Sequence, residues 1–397
     1  MDERFRSALA TIDAGDCAAL GKLLASDPDL VHRRADSEDR PYDGYFRRAT
    51  LLHHCAGNPA REPPVPDNIV DVARTLLEAG AEVDASTEFG DDWNWTTLGL
   101  VASSTPAAER GFAEPMFDLL IEHGADIDWG NGINLYGAFS HTVECEKLRD
   151  VAASLHRRGA GLDLAYAAAV GDLDAMARFC GDGDTLAPGA YSRYRPVNNR
   201  IEQPTRKDVL DEALVFAAMN SRIKALDRLL ECGATLDGTA AIHAERPTAM
   251  HAAAWAGSLP TVRHLLAHGA DPTIRDEVHN SSVIGWADFR KRDALRDYLL
   301  GDDARIDLRD AIEFGRFGRA MELIEQVEVD APVKDGDPGV LLRAAAYHGH
   351  VELVRYMLQR GADPKLENRE GRTALDYARE QQHTEIVSLL RKTGPPD

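Results

Sequence analysis

The residues best equipped for chemistry gather around one short stretch, EFGDDWNWTT at 88–97. Asp91 and Asp92 are the adjacent carboxylates that a general acid and base would need. His54 and His141 are imidazoles that could join them in an acid–base or metal cluster. Nothing in the spacing forces these four together, and neighbouring carboxylates on a connection are ordinarily solvated. Trp93 and Trp95 lie two apart, so an extended chain would point both rings to one face. Rings beside carboxylates suit a recognition surface, because a ring gives large contact area at low entropic cost. The competing expectation is that the two rings pack on neighbouring helices. A second patch, SRYRP, sets Arg193 and Arg195 around Tyr194 in an otherwise acidic chain. It would contact an acidic ligand or pair with the chain's own carboxylates. There is no nucleophile elbow, P-loop, dinucleotide-binding glycine pattern, HExxH or EF-hand loop, and CGDGDTL at 180–186 is too short and acidic to cradle phosphate.

The whole-chain balance narrows the classes further. The chain has 397 residues with a formal net charge of −21, a sign that repels phosphate backbones and anionic lipid. Nucleic acid and membrane are therefore not expected partners. Cys17, Cys55, Cys145, Cys180 and Cys232 are odd in number, widely spaced and free of any CxxC pair. That argues against a disulfide framework or a zinc site and for a reducing, cytoplasmic setting. The opening MDERFRSALATIDAGD has no apolar core and is not expected to be a secretory signal, and no apolar run of about 18 residues exists to span a bilayer.

The elements that must position these groups recur along the chain. Six segments end alike: LLEAGAEVDA (76–85), LLIEHGADIDW (119–129), SLHRRGAGLDL (154–164), LLECGATLDG (229–238), LLAHGADPTI (265–274) and MLQRGADPKL (357–366). Each reads as an apolar helix closed by a glycine in the left-handed region. Upstream lies a second helix with its own start, clearest in PTAMHAAAWAGSLPTVRHLLAHGADPT (247–273), where Thr248 is placed to cap and small alanines permit close approach. Related starts are TLLHHCA (50–56), TTLGLVA (96–102), VLLRAAA (340–346) and TALDYAR (373–379).

In these motifs the chain resembles the ankyrin-repeat family, with its T-P-L-H-x-A start and period of about 33 residues. The resemblance covers almost the whole chain and implies an all-α fold, an ankyrin-repeat solenoid of about eleven helix-turn-helix units with long finger loops. It implies that His53 and His251 hydrogen-bond within their repeats, and that binding falls along the concave face and the fingers. Residues 1–186 are expected to form an N-terminal array with a cap, 187–208 a long loop or hinge, and 209–397 a C-terminal array and cap. The long fingers and connections carry Tyr42, Tyr45, Phe46, Asp91, Asp92, Trp93, Trp95, Trp129, Tyr136 and Tyr194, which with His54 and His141 make the candidate ligand-binding set. Two further insertions, 57–68 and 103–115, join paired helices on the other side. The expected function is non-enzymatic recognition of a protein segment, with no cofactor and no metal. The alternative is a small-molecule site or enzyme whose pocket is roofed by the irregular loops of repeats two to four.

Overall fold

The computed structural model describes residues 3–35, 46–57, 63–88, 94–140, 147–181, 185–195, 201–240, 246–331 and 338–392. They form two compact units, one of residues 1–270 with 276–279 and one of 271–275 with 280–397. Among the described residues all regular structure is helical apart from three isolated bridges, Ser86 with Thr96, Thr239 with Thr248 and Arg275 with Ser282. None of these helices is long and apolar enough to cross a membrane.

The first unit carries α1 (Glu3–Ala14), α2 (Cys17–Ser26), α3 (Ile69–Glu78), α4 (Thr97–Ala102), α5 (Thr105–Arg110), α6 (Ala113–Glu122), α7 (Trp129–Ser140), α8 (Lys147–Arg157), α9 (Leu164–Val170), α10 (Leu173–Cys180), α11 (Arg206–Met219), α12 (Ile223–Glu231), α13 (Ala249–Ala256) and α14 (Leu259–Ala267). First helices stack on first helices, α4 on α7, α9 on α11 and α11 on α13. Second helices stack likewise, α3 on α6, α6 on α8 and α10 on α12. The second unit holds α15 (Val283–Phe289), α16 (Asp293–Leu300), α17 (Leu308–Glu313), α18 (Phe317–Ile324), α19 (Val340–Tyr347), α20 (Val351–Gln359), α21 (Ala374–Glu380) and α22 (Thr384–Lys392). Within it α17, α19 and α21 stack in order, as do α18, α20 and α22.

Local sequence explains each pair. The first helices begin on side-chain caps: Thr96 accepts from the Gly99 N–H, Asp163 from Tyr166, Ser282 from Gly285 and Asp307 from Asp310, each satisfying an otherwise orphaned donor. Thr205, Thr248 and Thr373 make reciprocal capping boxes. All six Gly-Ala steps that close the second helices take positive φ, between 90° and 107°, as the repeated ending requires. Alanines 252–254 of α13 are completely buried, which lets neighbouring backbones approach.

Two regions depart from the regular unit. The TLLHHCA start forms only a 3-10 turn, Leu52–Cys55. Gly57 takes φ 68° there, and Pro59, Pro63, Pro64 and Pro66 cannot continue a helix. The insertion at 103–115 instead makes its own helix, α5, capped by Ser104 and closed by a left-handed Gly111. The two insertions clasp each other. The Ser104 hydroxyl donates to the Gly57 carbonyl at 2.7 Å, Arg110 donates to the Val65 carbonyl and Asp67, and the Phe112 ring lies where a Cβ on Gly57 would sit.

His53 ties the 3-10 turn to the next repeat. Its Nδ1 accepts from the Thr50 N–H at 3.0 Å, so Nε2 carries the proton and donates to the Trp95 carbonyl at 3.2 Å. His251 makes the matching contact with Thr248. Burial pushes the His53 pKa down to about 4. The unfolded chain, with an ordinary histidine near 6.5, takes up the proton first. The stability tied to neutral His53 is therefore complete above about pH 6.5 and is lost as pH falls toward about 4, by about 3 kcal/mol in all. Urea unfolding at pH 7 and pH 4.5 should show that loss in the wild type and a shallower one in His53→Gln.

Candidate functional site

Of the candidate set, Tyr42, Tyr45, Asp91, Asp92, Trp93 and His141 lie outside the described residues. The other six fall into the interior or onto its edge. Trp95, read as a ring at a finger tip, is fully buried. It occupies a slot left by two glycines of successive first helices: a Cβ on Gly137 would lie 2.7 Å from its Cζ3, and one on Gly99 3.0 Å from its Cε3. The indole thus fills volume that alanines fill elsewhere, and packing between repeats is its role. Phe46 and His54 are also interior rather than on a binding edge. Their rings stack at 5.0 Å, with Phe5 edge-on to His54 at 6.3 Å. Tyr136, expected in a connection, is buried on α7. Only Gly130, Asn131 and Gly132 turn, with φ of 61°, 58° and 99°, and the helical backbone resumes at once.

Tyr136, Tyr194 and the SRYRP patch do come together. Asn131 ties the two connections, accepting from the Tyr194 N–H at 2.9 Å and donating from its side chain to the Ser192 carbonyl at 2.5 Å. The Tyr136 and Tyr194 rings meet edge to face at 5.3 Å. Beneath them Arg195 has its side chain 1% exposed, against Asp163 and Glu212. Nε donates to Glu212 Oε1 at 2.7 Å, and Nη2 to Asp163 Oδ2 at 3.2 Å and Glu212 Oε2 at 3.3 Å. Nη1 donates to the carbonyls of Tyr194 and Arg193. These five bonds match the five donors of a guanidinium. The rings of Tyr166, Tyr191 and Phe216 surround the cation at 4.7, 5.2 and 5.4 Å, and the Tyr166 hydroxyl donates to the Tyr194 carbonyl.

The electrostatics follow from one buried cation between two carboxylates. Burial disfavours the Arg195 charge, but Asp163 and Glu212 outweigh it and hold the guanidinium protonated far above its ordinary range. Burial pushes Glu212 up, with Arg195 only partly opposing, because the pocket already contains Asp163. Arg193 pairs with Asp128 at 3.1 Å, in the space left by Gly132 and Gly161. The patch therefore satisfies the chain's own carboxylates and pins 187–195 to α9 and α11. It presents no spare donor of Arg195 to an acidic ligand. Sequence alone could not have paired Arg195 with Asp163 and Glu212, but the helix-capping position of Asp163 was a usable signal. The second unit repeats the device: Arg275 donates to Asp307, the cap of α17, at 2.7 and 2.8 Å and to Asp310 at 2.7 Å.

Trp129, half-buried, and Tyr194 are the described members of the set that remain at the surface edge.

A family model described as ankyrin repeats (3 copies) matches residues 164–276 and 308–395, just over half of the chain. A transient receptor potential cation channel subfamily A member 1 homolog from Caenorhabditis elegans is 24% identical over 190 residues, 45% of this chain and 15% of that protein. The human mitochondrial disaggregase is 31% identical over 199 residues, 48% of this chain and 27% of that protein. The chain thus spans less than a third of the length of either relative. Among solved structures, the human ASB11 ankyrin repeat domain is 26% identical with a TM-score of 0.32, over 60% of this chain and 100% of that one. The Bcl-3 ankyrin repeat domain is 22% identical with a TM-score of 0.30, over 46% and 86%.

Three substitutions probe the packing. Arg195→Ala leaves two carboxylates buried without their cation and should lower stability by about 3–5 kcal/mol, whereas Arg193→Ala, at a more exposed pair, should lower it by about 1 kcal/mol or less. Gly137→Ala drives a methyl into the indole and should destabilise by about 1–3 kcal/mol. Urea denaturation followed by far-UV circular dichroism measures all three.

Proposed function

The chain belongs to the ankyrin-repeat family, and from that premise we propose that it is a non-enzymatic binding protein that recognises a protein segment along the edge carrying its fingers. Ankyrin repeats are generally protein–protein interaction modules, a fold-level argument that leaves the partner open. One observation carries the reading to this chain. Among the described residues, the repeat-start histidines and the SRYRP arginines are taken up by the scaffold itself: His53 and His251 brace repeat starts, and Arg193 and Arg195 serve internal carboxylates. What is left to meet a partner is shape and side-chain surface on stacked pairs and their connections.

The contact set we propose is Trp93, Tyr42, Tyr45, Asp91, Asp92 and His141, together with Trp129 and Tyr194. The described bases of two fingers support one another: Arg34 donates to the Ser86 and Arg48 carbonyls, and the Glu88 N–H to the Arg47 carbonyl. An interface of roughly 800 Å² per partner is the ordinary size for such recognition. A roofed small-molecule pocket would need His54 and Trp95 in its wall, and both lie in the core. A cytoplasmic setting belongs to the same proposal, on the cysteine spacing; no disulfide joins the described Cys17, Cys55, Cys180 and Cys232.

The test is affinity capture from an extract of the native cell, using wild type and the Trp93→Ala, Trp129→Ala double variant. Partner recovery should fall at least about tenfold, a loss of roughly 1.4 kcal/mol or more expected for aromatic anchors, while the far-UV circular dichroism spectrum stays that of the wild type. Equal recovery by both proteins would defeat the aromatic-edge reading.

A further inference from the structure

Away from the fingers, the second helices of two successive pairs in the first unit bring together Asp227 of α12 with His264 and His268 of α14 and its C-cap. The histidines are four apart, so both rings stand on one face of the helix, one turn from each other. One donor atom from each residue lies within 4.8 Å of the others. His264 Nε2 is 2.7 Å from Asp227 Oδ1, His268 Nε2 is 3.8 Å from the same oxygen, and the ring centroids are 4.4 Å apart.

A histidine–aspartate bond between helices would by itself be ordinary. The second imidazole makes this cluster different. His268 Nδ1 is 2.9 Å from the His264 carbonyl oxygen, a group that only accepts, so Nδ1 carries the proton. In the neutral ring that leaves the Nε2 lone pair facing a carboxylate oxygen. Two acceptors aimed at each other repel unless a proton or a metal ion lies between them. The same backbone bond is the outer contact that orients metal-ligating histidines and fixes their tautomer.

We propose that Asp227, His264 and His268 bind one divalent transition-metal ion, Zn2+ being the ion that fits the donor set. Two imidazole nitrogens and one carboxylate oxygen are borderline donors, which zinc accepts at ~2.0–2.2 Å, with a fourth position left for water. The His268 and Asp227 side chains are about two-fifths exposed, at 42% and 45%, so the ion has an entry path and the side chains have room to close on it. On binding, the ion takes the place of the proton on His264 Nε2, which leaves to solvent from an imidazolium or is matched by protonation of Nδ1 in a neutral ring, so that His264 ligates as a neutral imidazole. The ion then ties α12 to α14, adding a cross-link between adjacent repeats that ankyrin packing does not itself require. The strongly acidic chain favours cation capture generally, but the assignment rests on the two imidazoles.

Isothermal titration of the full chain with Zn2+ alone, in a reducing buffer, tests this directly. One equivalent should bind at micromolar free zinc, and the melting temperature should rise as free zinc exceeds Kd. His268→Gln and Asp227→Asn are half-exposed substitutions that should keep the fold, checked by circular dichroism without metal, and each should weaken binding by about tenfold or more. With Co2+ in place of Zn2+, the spectrum should lack a thiolate charge-transfer band, which distinguishes this site from one built on cysteines. No binding by wild type, a weakening of less than about tenfold in His268→Gln, or a thiolate band would each overturn the assignment.

Discussion

The unit of this protein is a pair of helices too short to persist alone. α13 has 8 residues and α14 has 9, below the roughly 12–15 at which isolated helices become even marginal in water. Each pair becomes stable only by covering the apolar face of the next, so lateral stacking is the constraint from which the rest follows. It favours small residues where first helices meet, a glycine that can turn left-handed after a second helix, and a side-chain cap before a first helix, the last two met in most pairs but not at α16, α18 or α19. The buried alanines of α9 and α13, the Gly-Ala steps and the Thr, Ser and Asp caps answer these preferences one by one.

Departures from the regular unit come in matched sets. An indole enters at position 95 where glycines at 99 and 137 make room for it. An arginine enters the core where two carboxylates and three rings receive it. Arg275 reaches the cap of α17 much as Arg195 reaches the cap of α9, so a connection is twice anchored on the residue that starts a helix. A buried ion pair is weak evidence of net stability, because desolvation opposes the attraction. Its clearer contribution is to give 187–195 one position, since the cluster is satisfied only when Ser192, Arg193 and Arg195 all reach Asp163.

Features set by neighbours in sequence were legible before the structure. The Gly-Ala endings, the Thr248 cap, the contacts of His53 with Thr50 and of His251 with Thr248, and the helical class all depend on residues within one repeat, so their spacing carries them. Features set across repeats were not. Sequence leaves Trp95 open between a recognition ring and a packed one, because its slot is made by Gly137 of the next repeat, and an absent side chain gives no signal. Tyr136 is expected in a connection because WGNG reads as a loop, although three left-handed residues complete the turn and a helix follows immediately. The SRYRP patch offered two readings, and only the fold brings Asp163 and Glu212 to it. Of the candidate site, Trp129 and Tyr194 keep an edge position, while Phe46, His54, Trp95 and Tyr136 belong to the core.

The clasp between the insertions at 57–68 and 103–115 bears on modularity. Repeat arrays ordinarily tolerate loss, duplication or exchange of single units, because every interface is nearly equivalent to its neighbours. Here Ser104, Arg110 and Phe112 recognise backbone and space supplied only by the preceding unit's irregular segment. The second and third repeats have thereby become one inheritable block: a recombination event that separated them would strand half of a lock-and-key pair on each side.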